Sequence, residues 1–134
     1  MAYLATLLLV PVDALSGSHT RESLVSSAMH SSHCSHLIAV HPQIRPILDE
    51  GIPVQSQMWH PIAKPHYRLP LDLPPIVTSL KNLVASDEHI KSDAWTVGEI
   101  RRLIEACEFA IQHGLGLVVL LSNTLSKPPM KKKE

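Results

Sequence analysis

Hydrophobic and polar positions are most sharply patterned between residues 96 and 122. Val97, Ile100, Leu103, Ile104, Cys107, Ala110 and Ile111 share one arc of a helix of about 3.6 residues per turn. Arg101, Arg102, Glu105, Glu108 and Gln112 fill the opposite arc. Thr96 and Glu99 have the T-x-x-E spacing of a capping box, and Gly114 after His113 offers a left-handed stop. The run 115–121 that follows is apolar without alternation, which predicts a strand covered on both faces, the usual state of strands in parallel sheets.

The rest of the chain is built against that unit. Residues 3–12 predict a first buried strand with Pro11 near its end. Leu24, Val25, Ala28 and Met29 give one stripe to a helix over 20–33. His-Leu-Ile-Ala-Val-His at 36–41 predicts a second strand, and Pro42 opens a helical turn that runs to Glu50 and ends at Gly51. Weak alternation over 52–59, with Pro53 inside it, predicts an edge strand. Pro61, Pro65, Pro70, Pro74 and Pro75 exclude a long helix through 60–75 and predict an extended strap. That strap either covers the core with Leu69, Leu71 and Leu73 or holds a partner through Trp59, His60, His66, Tyr67 and Arg68. A helix over 75–86 follows, with Ile76, Val77, Leu80, Leu83 and Val84 on one face, and a polar connection over 87–93 leads to the capping box. The expectation is an α/β, Rossmann-like domain of two or three layers on a short parallel or mixed sheet of about four strands. It spans 1–126, with a basic flexible tail at 127–134.

Composition narrows the setting. The chain has 134 residues, enough for one domain with a genuine core, and 45% of them are hydrophobic. Net charge is zero, which removes a global pull toward nucleic acid or anionic lipid. Lys127, Lys131, Lys132 and Lys133 against Glu134 leave +3 on the tail, and therefore −3 on the remainder. Cys34 and Cys107 are too few for a disulfide framework, so the expected compartment is the cytoplasm. The alternative is secretion, if residues 1–16 are a signal peptide.

Two stretches offer candidate chemistry. In open α/β sheets ligands bind beyond the carboxyl ends of strands. Asp13, Ser16, Gly17, Ser18 and Thr20 follow the first strand, so they are the candidate ligand edge, able to cradle a phosphate or ribose. The stretch Leu8-Leu9-Val10-Pro11-Val12-Asp13, followed by Ser16, resembles the first strand and loop of universal stress proteins. The resemblance covers about a quarter of the chain and implies a nucleotide held by the aspartate-bearing loop. That family's later G-x-x-G-x9-G-S/T motif is missing here.

The second stretch is His30, His33, Cys34 and His36, in a chain with nine histidines. On a helix His30 neighbours both His33 and Cys34, and imidazole with thiolate suits a divalent metal. His41, His60 or His66 would complete the shell. No P-loop, G-x-G-x-x-G or G-x-S-x-G is present. Phe109, the single Phe, falls among Arg102 and Glu105, which marks it as covered by another element or as an interface residue with Trp59 and Trp95. Three functions follow as expectations. One is a non-enzymatic, oligomeric binding or regulatory domain for a small ligand or a protein. The second is a metalloprotein or enzyme on the histidine cluster. The third is a nucleic-acid accessory using the lysine tail.

Overall fold

The computed structural model describes residues 3–15, 18–19, 21–56 and 65–123. Its elements, in order, begin with β1 (Tyr3–Pro11), a 3-10 turn (Val12–Leu15), β2 (Ser18–His19), α1 (Arg21–Ser27) and β3 (His30–Ser35). A 3-10 turn (His36–Val40), α2 (Arg45–Asp49), β4 (Ile52–Pro53), β5 (Gln55–Ser56) and β6 (His66–Arg68) follow. A 3-10 turn (Pro70–Asp72), α3 (Leu73–Ser86), α4 (Glu88–Lys91), α5 (Ala94–His113) and β7 (Leu115–Asn123) complete the order. No helix among the described residues is long and apolar enough to cross a membrane.

The sheet has five strands in the order β3-β1-β7-β6-β4, and every neighbouring pair is antiparallel. This overturns the expected parallel or mixed sheet of about four strands, and with it the Rossmann-like reading. Apolar runs without alternation do mark β1 and β7 as buried on both faces. Burial on both faces, however, does not fix strand direction: helices and turns can cover both sides of an antiparallel sheet too. Among the described residues one pairing is parallel, Ser18 with Gln55 and His19 with Ser56, and it lies outside this sheet.

β7 is the middle strand, and its nine residues pair with all nine of β1, from Tyr3 opposite Asn123 to Pro11 opposite Leu115. Alternation then sorts the side chains. Ala5, Leu7, Leu9, Leu117 and Val119 enter a large core with Cys34 and with Leu80, Ile100, Leu103 and Cys107 from α3 and α5. Leu8, Val10, Val118 and Leu120 enter a smaller core on the other face, closed by Leu15, Leu24 and Val54. Gly116 makes room for that cover, since a Cβ there would lie 2.5 Å from Leu15 Cδ1.

α5 is the predicted amphipathic helix, and Gly114 ends it in the left-handed conformation at φ 66°. Its start is corrected. Asp93, not Thr96, is the cap: its carboxylate accepts from the Trp95 and Thr96 amides at 3.1 and 3.4 Å and from the Thr96 hydroxyl at 2.8 Å. These bonds hold the Asp93 carboxyl below its ordinary range, the Thr96 hydroxyl contributing most. Glu99 is thereby released from capping and reaches another element. α3 begins at Leu73 with Pro74 and Pro75 in its first turn, where a missing N–H costs no helical bond.

Three further expectations are revised. The helix over 20–33 ends at Ser27, and 30–35 is a strand. Residues 36–40 form a 3-10 turn instead of a strand, with the Ser35 hydroxyl accepting from the Leu37 amide at 3.2 Å. Part of the strap is an interior strand: β6 lies between β7 and β4, while 57–64 falls outside the described residues.

β6 also ties down the end of α2, where Pro46 O already accepts from the Glu50 N–H at 3.0 Å and the carbonyls that follow lack helical partners. His66 Nε2 donates to Leu48 O at 2.8 Å, and Arg68 donates to Pro46 O at 2.6 Å and Glu50 O at 3.1 Å. His66 is buried, and its Nδ1 has no hydrogen-bond partner among the described residues. Burial, and to a lesser extent Arg68, lower its pKa from 6.5. A depressed folded pKa means the unfolded chain binds the proton more readily. Stability from this histidine is therefore complete above about pH 6.5 and falls as pH drops toward the lowered folded value. Urea midpoints measured at pH 7.5 and 5.5 should fall with pH, and the slope should flatten in His66→Gln, which keeps a donor for Leu48.

Candidate functional site

The aspartate edge is only partly within the described residues. Asp13 is exposed on the 3-10 turn at the end of β1, and Ser18 lies in β2. Ser16, Gly17 and Thr20 fall outside the described residues. The five-stranded sheet has no adjacent parallel strands to form such an edge. Beside the end of β1, at Pro11, its neighbours β3 and β7 begin their own courses, so no crevice forms from the carboxyl ends of adjacent parallel strands.

The structure does not bring the four proposed metal ligands together. On a strand, His30 and Cys34 share one face, and His33 points to the other. His30 sets its ring edge-on against Phe109, with centroids 4.7 Å apart. His33 Nδ1 lies 3.2 Å from Thr6 Oγ1. His36 Nε2 bonds Asp49 at 2.6 Å, joining the 3-10 turn to α2. Among the described residues, no group of three or more His, Cys, Asp or Glu side chains is placed to hold a metal ion. Phe109 is covered rather than free: His30 meets its edge and His113 stacks on it at 4.2 Å. Trp95 is half exposed, while Trp59 and the 127–134 tail lie outside the described residues.

Cys34 is no nucleophile in this setting. Its thiol is pushed up to about 12, first by burial and then by the neighbouring Glu99 carboxylate. Cys107 is pushed up to about 12 by burial as well. The thiolate is the reactive form, so neither side chain is poised for attack.

What sequence reasoning missed is the outer edge of β3. β3 pairs on one side with β1, and among the described residues no strand pairs with its other side. The Ser35 N–H donates to Glu99 Oε1 at 2.6 Å and so is turned away from β1. Antiparallel ladders alternate. Residues 30, 32 and 34 therefore bond β1, while Ser31 and His33 direct N–H and C=O outward. At the other end the chain bends before β3, and the Met29 N–H is turned inward to Leu9 O of β1 at 2.7 Å. An open window of two residues, Ser31 and His33, thus lies between two occupied amides. Large apolar side chains stand exposed just outside it, Met29 at 68% and Leu37 at 56%. The other sheet edge is blunted: β4 has two residues, one of them Pro53.

The signal in the sequence was faint. The apolar stripe of the preceding helix stops at Met29, and 30–35 holds only Cys34 as an apolar residue. Serine and histidine have little strand propensity, so nothing local marked a strand.

A scan of protein-family models, a search of curated proteins and a search of solved structures each found no match to this chain.

The cysteine environments give a direct check. Ellman's reagent at pH 8 should titrate neither thiol in the native protein and both after denaturation. A rapid native reaction at Cys34 would show that the burial argument is wrong.

Proposed function

We propose that this domain acts by binding another polypeptide along the open edge of β3, without chemistry of its own. The observation that carries the reading is the pair of outward-facing residues Ser31 and His33 on a strand that holds no Lys, Pro or Gly. Edge strands left in that state are templates for strand addition, in which main-chain hydrogen bonds supply affinity and flanking side chains supply selectivity. Met29 and Leu37 are the flanking apolar groups. The two thiols are inert, and His30, His33 and His36 are engaged with separate partners. A binding role uses the edge directly, whereas an active site would have to be built from groups the fold keeps apart.

Proline substitution separates the edge from the fold. Ser31→Pro deletes an outward N–H and leaves the β1 ladder intact, so stability should change by less than about 1 kcal/mol. Ser32→Pro deletes an N–H bonded to β1 and should cost about 1–3 kcal/mol. Immobilised full-length chain should retain a protein from its native lysate that the Ser31→Pro chain, with its melting temperature preserved, releases. Equal retention by both would remove the edge from consideration.

A further inference from the structure

We infer that the partner of β3 is a second copy of this chain, paired antiparallel about a two-fold axis through Ser32. The inference rests on the edge-binding reading and names its occupant. Its ground is the symmetry of the open window. The two occupied amides, Met29 and Ser35, stand three residues to either side of Ser32. A two-fold axis at Ser32 places each residue opposite the one whose number completes 64. Ser31 then faces the partner's His33, and His33 faces the partner's Ser31. Each pair exchanges two main-chain bonds, so all four open N–H groups are satisfied across the two chains. Met29, in the bend before β3, comes to the partner's Ser35; its N–H is turned inward to Leu9 and the Ser35 N–H is taken by Glu99, so no N–H is left stranded.

Neighbouring registers do worse. An axis at His33 would set Ser31 against Ser35, whose N–H already serves Glu99. An axis at Ser31 would set His33 against Met29, whose N–H already serves Leu9. An axis between two residues would oppose an outward-facing residue to an inward-facing one, which an antiparallel ladder does not permit.

The side chains agree with the Ser32 register. No charged group meets its own image: Ser32 meets Ser32, a small pair at the crowded centre. His33 stands beside a serine. Met29, just before β3, and the partner's Leu37, in the 3-10 turn just after it, lie at the same end of the paired strands in both halves, so exposed apolar side chains flank the seam at each end. The product is one sheet continuing across ten strands, joined by a small contact of the weak, reversible kind.

The register predicts a specific cross-link. Ser32 and its image form a non-hydrogen-bonded pair with Cα atoms about 4.5 Å apart, within disulfide reach. Ser31 and its image are about 7–8 Å apart on a diagonal, beyond that reach. Ser32→Cys and Ser31→Cys chains would be treated with diamide, which accepts the two electrons and two protons released as each S–S bond forms. The native thiols, buried and raised to about 12, stay reduced. Ser32→Cys should give covalent dimer at least about tenfold faster than Ser31→Cys.

Sedimentation velocity on the full wild-type chain, reaching hundreds of micromolar, should show monomer passing to dimer. Ser31→Pro should remain monomeric over the same range. A dimer that survives Ser31→Pro, or equal cross-linking at both cysteines, overturns the register. A wild-type monomer at every concentration overturns the second copy. If that monomer still retains a protein in a Ser31-dependent way, the edge reading stands with a different occupant. If it does not, both fall.

Discussion

Antiparallel pairing of β1 with β7 is the constraint on which the other contacts depend. These are the two longest strands, and they come from nearly opposite ends of the described chain. Once they lie in register, Leu7 and Val119 face one layer, and Leu8 and Val118 face the other. A slip of one residue would exchange the two faces and send each set of side chains to the wrong cover. Because the partners are so far apart in sequence, chain closure must precede much of the core, which is the situation that slows folding. α5 lessens that difficulty by delivering β7 directly through the Gly114 turn.

Polar groups in this fold mostly close the ends of elements. His66 and Arg68 bind carbonyls in and just beyond α2, Asp87 and Asp93 cap α4 and α5, and Glu99 takes the amide at the end of β3. His36 and His41 each reach an aspartate on another element, Asp49 and Asp87. A backbone group left without water or a partner costs more than the bond itself contributes, so such ties are needed wherever a helix ends inside the structure. This accounts for much of the unusual histidine content. Histidines that look like a ligand cluster along the chain are distributed by the fold to different jobs.

The two sheet edges are treated unequally, and that inequality is the strongest functional clue in the molecule. β4 is too short and proline-bearing to recruit another strand. β3 carries no such protection in its middle, while its two ends are already occupied by Leu9 and Glu99. Glu99 therefore has a double effect. It satisfies the last amide of the strand, and it limits how far a pairing partner can extend. In the proposed pairing this helix residue sets the register available along the open side of β3.

The linear pattern determined the elements whose periodicity is local: the apolar strands β1 and β7, the stripes of α3 and α5, and the glycine stop at Gly114. Strand direction was not legible, because a run such as 115–121 reads the same whether its neighbours are parallel or antiparallel. Nor was the Asp93 cap, since Asp93 and Thr96 both have suitable side chains and only the docked position of Glu99 decides between them. The candidate site was hidden for a similar reason. His-Ser-Ser-His-Cys-Ser has almost no strand preference of its own, and it becomes a strand because β1 offers an unpaired ladder beside it. What the sequence by itself determined is which segments must be buried. Tertiary structure alone decided which edge remained open among the described residues, because an edge is defined by what does not pair with it, and no local pattern of residues records that.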